Sequence, residues 1–254
     1  MRTPREIRLA IRRGLHPGNT SALAPGYVQA NLVILPGVHA SDFQLFCQRN
    51  PAPCPLLAVT PPGEPVLAEL APGADLRTDL PLYRIYRHGE LAEEVTSLQS
   101  HWREDLVGFL LGCSFTFDSL LQEAGLPVRH LEEGVTVPMY RTTQACRGAG
   151  VFEGPLVVSM RPMPRPLVEL AVELTAGYPL VHGAPVQVGE PHRLGIQDLR
   201  QPDWGDPVTV YPDEVPVFWA CGVTPQAVAL HARLPLVLTH APGHMLVTDR
   251  PARE

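Results

Sequence analysis

The chain has 254 residues, 45% hydrophobic and 18% charged, enough for one large domain or two modest ones around a substantial core. A net charge of −6 argues against nucleic acid as the main partner, and no apolar run approaches the roughly 18 residues of a membrane-spanning helix. Five cysteines, odd in number and without a CxxC pair, point to free thiols in a reducing cytoplasm.

Thr3-Pro4-Arg5-Glu6 has the form of a capping box with proline at the first helical position, and Ile7, Ala10 and Ile11 continue a helix that Gly14 would close. Arg5, Arg8, Arg12 and Arg13 fall mostly on its other faces, as a solvated basic surface. Residues 18–38 pass from a polar turn into an apolar strand at Leu32–Leu35. Asn19, Thr20, Tyr27, Gln29 and Asn31 there either face a ligand or build turns. A helix opening at Ser41 or Asp42 must stop before Pro51. The stretch 50–81 is rich in proline and glycine, with a weak strand at Leu56–Val59 and ion pairs available among Asp75, Arg77 and Asp79. Tyr83–Tyr86 alternates as a strand that turns at Gly89.

Trp102, Leu106, Phe109 and Leu110 are spaced as the buried face of a helix ending near Gly112, and a second helix runs through Leu120 and Leu121 to Gly125. Val128–Leu131 and Val135–Tyr140 read as strands, and Leu156–Met160 as a buried strand delivering Arg161 at its end. A helix follows from Pro166 to Gly177, then a strand–turn at Val181–Val186 with His182 at the bend. In the last quarter, strands at Val215–Ala220 and Leu236–Leu238 alternate with a helix capped by Thr224-Pro225, which favours a mixed or parallel sheet. The expected fold class is α/β: a mixed sheet flanked by helices, with a second, smaller α+β lobe. Residues 1–114 and 201–254 would form the larger lobe and 115–200 the smaller, inserted one.

The chemistry concentrates in residues 112–162 and in the C-terminal quarter. Cys113 and Ser114 stand before a helix, where unpaired amides favour anions, although Ser114 is equally suited to capping that helix. Cys221, Gly222 and Thr224 repeat the pattern after a later strand. Arg129, Arg141 and Arg161 are guanidinium groups suited to a carboxylate, with pairing to Glu132, Glu133 or Glu153 as the competing outcome. His130, His182, His240 and His244 lie beside turns, where a histidine serves structure or moves protons. His240 and His244 have the spacing of a zinc pair, but Pro242 and Gly243 between them break a helix. HExxH, GxSxG, a Walker loop and a strand-borne GxGxxG are all missing.

Several ordered blocks together carry a resemblance. They include Tyr27-Val-Gln-Ala-Asn31, Cys54-Pro-Leu56, Arg77-Thr-Asp79-Leu-Pro81, Gly112-Cys-Ser-Phe115, Arg129-His130 and Val137-Pro-Met-Tyr-Arg-Thr142. Gly154-Pro-Leu-Val-Val-Ser-Met-Arg-Pro162, His182-Gly-Ala-Pro185, Phe218-Trp-Ala-Cys-Gly-Val-Thr-Pro-Gln226 and Thr239-His-Ala-Pro-Gly-His244 complete the set. From about residue 5 to 249 the chain resembles the D-glutamate cyclase family, with Gln187 where the HGAPVHxG block has a histidine. The resemblance implies a two-lobed α/β hydro-lyase interconverting D-glutamate and 5-oxo-D-proline plus water. It also raises a divalent metal such as manganese, with His240 and His244 as the candidate ligands. On that reading Arg129, Tyr140, Arg141, Arg161, Cys221, Gly222 and Thr224 would bind substrate, and His182, His130, Cys113, Ser114 and His240 would do the chemistry. A lyase or hydratase for another small carboxylic acid, or a non-catalytic carboxylate-binding protein, remain the other readings. The expected partner is a small-molecule carboxylate, with neither nucleic acid nor membrane, and a homo-oligomer is compatible with the sequence.

Overall fold

The apolar run at residues 27–36 becomes the central strand of the larger of two sheets in the computed structural model, which describes residues 2–20 and 23–252. In chain order the first elements are α1 (Pro4–Arg12), β1 (Tyr27–Pro36), α2 (Ala40–Arg49), β2 (Leu56–Val59), β3 (Tyr83–Arg87), β4 (Glu90–Val95) and β5 (Leu106–Gly112). Next come α3 (Phe115–Glu123), α4 (Arg129–Glu132), β6 (Met139–Ala145), β7 (Pro155–Pro164), α5 (Val168–Ala176) and β8 (Gln187–Val188). The chain closes with β9 (Glu214–Ala220), α6 (Val223–His231), β10 (Val237–His240) and β11 (Leu246–Pro251).

The larger sheet runs β2-β5-β1-β10-β3-β4, and the smaller runs β6-β7-β9-β8. β10 and β11 lie end to end along one side of β1: Val33 and Ile34 pair with Thr239 and Leu238, while Gln29 and Ala30 pair with Val247 and Leu246. The turn at 241–245 therefore leaves the ladder opposite Asn31 and Leu32. The pairings among the described residues are antiparallel, so the parallel arrangement suggested by strand–helix alternation is not the one adopted. The α/β fold class stands: helices flank the larger sheet, and a second, smaller sheet accompanies it. β9 lies beyond residue 200, so the smaller sheet draws on the segment that the sequence assigns to the larger lobe.

β1 is apolar on both faces because both are covered. Leu32 and Ile34 pack with Tyr83 and Leu110, while Val33 and Leu35 pack with Phe43, Phe46 and Phe109. The same explanation corrects the helix expected at 102–110. LVGFLLG is a strand, β5, buried along its whole length between β2 and β1, and a run with no polar face carries no periodicity to tell strand from helix.

Two further segments differ from expectation. Val128–Leu131 contains the single-turn helix α4 instead of a strand, and Val181–Val186 is a short 3-10 turn followed by irregular chain, with His182 at φ 87°. At residues 135–140 only the last two positions belong to a strand. α1 has its capping box, but Arg8 is buried rather than solvated: it donates to the Val247 carbonyl and pairs with Asp249 at 2.7 Å. Arg12 pairs with the buried Asp79 at 2.6 Å, which fastens the helix to the 75–79 loop. At Gly112, a Cβ would stand 1.8 Å from the Leu180 carbonyl oxygen, so glycine is what lets the 177–183 segment close over the end of β5.

Candidate functional site

The chain builds one local construction twice. β5 ends in Gly112, Cys113 and Ser114 follow, and α3 starts at Phe115; β9 ends in Ala220, Cys221 and Gly222 follow, and α6 starts at Val223. In each case the sulfur accepts from the amide two residues on, Phe115 for Cys113 and Val223 for Cys221. Neither helix has a side-chain cap, so both keep the partial positive charge of an open N-terminus. Both termini open on one cavity of about 70 Å3, lined by Cys113, Ser114, Cys221 and Gly222 and closed by Asn31, Gln226 and His240. The buried thiols are neutral: burial pushes Cys113 up to about 12 and Cys221 up to about 11.

Asn31 reaches the cavity because side chains alternate along β1, which puts it on the face shared by Val33 and Leu35. Its Nδ2 donates to the Gly112 carbonyl at 3.1 Å and lies against Gly222, where a Cβ would come within 2.2 Å of it. His240, at the end of β10, accepts the Leu32 amide on Nδ1 at 3.1 Å, with the Gln226 side-chain nitrogen 2.9 Å from the same atom. The same Nδ1 is also 3.3 Å from the Leu32 carbonyl oxygen, to which it donates when it carries the ring proton. Burial pulls His240 down to about 4, only partly offset by the Leu32 contact, so the ring is neutral near pH 7.

Behind Ser114 lies a buried charged cluster. Arg161 donates through Nε to Asp118 Oδ1 at 2.7 Å, and its other nitrogens reach Ser159 Oγ at 3.1 Å and Ser114 Oγ at 3.4 Å. His130 Nε2 stands 3.2 Å from Asp118 Oδ2, a close contact without hydrogen-bond alignment. Burial alone would raise the Asp118 carboxyl, but Arg161 and His130 outweigh it and hold it below the ordinary carboxylate value. His182 sits within electrostatic reach of Arg161. Its Nδ1 is 2.8 Å from the Ala52 carbonyl oxygen, its Nε2 is buried without a hydrogen-bond partner, and burial pulls it down to about 4.

The structure thus brings Cys113, Ser114, Cys221, Gly222 and His240 together, with Arg161, His130 and His182 in the adjoining polar layer. It does not bring the others. Arg161 is no open clamp, since it is fully buried and pairs with Asp118. Arg129 pairs with Glu132 and Glu214 and lies over the Tyr211 ring. Arg141 is exposed, stacks 5.5 Å from Trp204, and lines a separate depression with Tyr140, whose hydroxyl donates to Leu199. Thr224 is sealed in the interface of α6 with β7, where its hydroxyl bonds the Val157 backbone. Gln187 bonds Val188 and Gly189 locally.

Among the described residues, the structure places no third ligand with the two histidines raised as metal ligands. The Nδ1 of His244 is turned to the Pro242 carbonyl at 2.7 Å, and no group of three His, Cys, Asp or Glu side chains suited to a metal occurs among the described residues. Asp118 and Gln226 are the site residues that the sequence does not announce. Asp118 reads as an ordinary first-turn acid of α3 until Arg161, 43 residues later, folds against it. Gln226 stands in the Phe218–Gln226 block, so that block is the signal that points to it.

The model of the family described as D-glutamate cyclase matches residues 107–249, a span holding both strand–cysteine–helix units, Arg161 and His240. A Rubrobacter xylanophilus protein is 62% identical over 96% of this chain and 95% of its own, and one from Bacillus licheniformis is 58% identical over 97% and 94%. A Stutzerimonas stutzeri protein is 58% identical over 97% and 93%. All three carry the provisional name hydro-lyase. Among solved structures, a nitrogen repressor-like protein from Methanococcus jannaschii covers 93% of this chain at TM-score 0.40 and 11% identity, too remote to carry an argument. With the family model over more than half its length and relatives near 60% identity along nearly all of it, the chain belongs to the D-glutamate cyclase family.

Proposed function

We propose that this protein is a hydro-lyase that interconverts D-glutamate and 5-oxo-D-proline plus water in the cavity between α3 and α6. The observation that carries the reading is the convergence of two uncapped helix N-termini on one small, mostly apolar cavity. Such termini favour a carboxylate without a fixed cation, and Arg161 behind Ser114 adds positive potential that Asp118 moderates.

Ring closure needs the α-carboxylate held, the amine neutral, and the γ-carboxyl polarised so that one oxygen departs as water. The helix termini hold the carboxylate and stabilise charge on the tetrahedral oxygen, an effect of roughly 3–4 kcal/mol for one well-placed donor. His240 lines the cavity as a neutral ring and offers a hydrogen bond to the departing oxygen without adding a cation there. Attack within a five-membered ring is already favoured by proximity.

The test is incubation with D- and L-glutamate and with both enantiomers of 5-oxoproline, followed by chiral chromatography. Interconversion of the D forms is expected. Turnover of a different acid, or binding of 5-oxoproline without turnover, would replace this reading by one of the other two.

A further inference from the structure

Cys113 and Cys221 are related in a way that ring closure does not use. They occupy equivalent positions in the two strand–cysteine–helix units, both line the same cavity, and they lie within electrostatic reach of each other. Each is almost fully buried, so neither thiol is placed for exchange with solvent thiols. Asn31 contacts Cys113 and abuts Gly222, so one side chain braces both units. The remaining lining is largely apolar, with Phe115, Val137, Met139 and Val223 around the sulfurs.

Two thiols brought to one small cavity by separate strand–helix units, each beside a helix N-terminus, are the parts needed to move a proton across a carbon centre. We propose that Cys113 and Cys221 act as a paired acid and base on the α-carbon of a small amino or cyclic imino acid, exchanging its α-proton and inverting its configuration. One sulfur, in the minor thiolate form that burial leaves at neutral pH, takes the α-proton: the C–H bond breaks, an S–H bond forms, and the electron pair moves into the carboxylate. The helix N-termini hold the two carboxylate oxygens while they carry that added charge. The opposite thiol then delivers its own proton to the other face, so a C–H bond forms, an S–H bond breaks, and that sulfur is left as thiolate. Atoms, protons and charge balance without a metal, an oxidant or a cofactor. The activity shares the cavity with the cyclase reading but not its chemistry, because no C–N or C–O bond changes.

The test uses the whole protein in deuterium oxide with D-5-oxoproline, L-5-oxoproline, D-glutamate and L-glutamate in separate samples. Loss of the α-proton signal by NMR and enantiomer ratios by chiral chromatography are followed together, and glutamate–oxoproline interconversion is measured in the same tubes. The expected result is deuterium at the α-carbon of at least one of these acids together with its inversion. Cys113→Ser and Cys221→Ser should each lower inversion at least tenfold. Exchange without interconversion supports this proposal and overturns the cyclase reading; interconversion without exchange does the reverse. A wild-type protein that leaves the α-proton of all four acids in place overturns the proposal without recourse to any variant, as does exchange that survives in both serine variants.

Discussion

Arg161 and Asp118 form an ion pair at 2.7 Å in which neither side chain meets solvent, and that pair is the floor on which the cavity stands. Removing one partner leaves the other charge buried and uncompensated, a loss of about 3–5 kcal/mol. Asp118→Asn should therefore lower unfolding stability by that order in urea titration. The double variant Asp118→Leu/Arg161→Met should recover a good part of the loss, because replacing both charges by apolar groups removes the penalty. A double variant no more stable than Asp118→Asn would show that the pair is not what matters there.

Gly222 and Asn31 provide a second check. A methyl group at position 222 meets Asn31 Nδ2 at 2.2 Å, and the amide must turn away from Gly112 and Cys113. Gly222→Ala is expected to lower turnover at least tenfold, since small displacements of positioning groups are amplified in rate. Far-UV circular dichroism should stay unchanged, as residue 222 has ordinary helical angles in which alanine is unstrained.

Arg141 offers the opposite expectation. Because it lies beside Trp204 on a different surface from the cavity, Arg141→Ala should leave kcat/KM within about twofold, as surface changes generally do. A loss of a hundredfold would place the substrate in the Tyr140–Arg141 depression instead.

The two buried histidines make a prediction about acid. His182 and His240 both titrate near 4 when folded, against about 6.5 when unfolded, so between those values the unfolded chain binds more protons. Stability is full above about pH 6.5 and falls as pH drops toward 4, by roughly 3 kcal/mol for each ring. Urea unfolding at pH 7 and pH 5 should show the loss, and His240→Gln should shrink it. Equal stability at the two pH values would contradict the burial of these rings as neutral species.

What could be read from sequence followed physical locality. Thr3 and Glu6 announce the cap of α1 because their bonds span three residues. The junction at Cys221 is legible as a strand end before a helix, whereas the one at Cys113 shows only the helix that follows it. β5 reads as a helix because a strand covered on both faces shows no period, and α4 reads as a strand because one helical turn leaves too short a pattern. Which arginines would be free could not be read. Arg161 meets Asp118 across 43 residues and Arg129 meets Glu214 across 85, and those pairings are fixed only by the packing of distant elements.

The central claim is that a small carboxylate is seated between the starts of α3 and α6. A crystal structure with 5-oxo-D-proline tests it most directly. The carboxylate is predicted to lie about 3 Å from backbone amides at Ser114 and Gly222, with the ring between the sulfurs of Cys113 and Cys221. The same ligand seated against Arg141 and Trp204, with this cavity holding only water, would contradict the account.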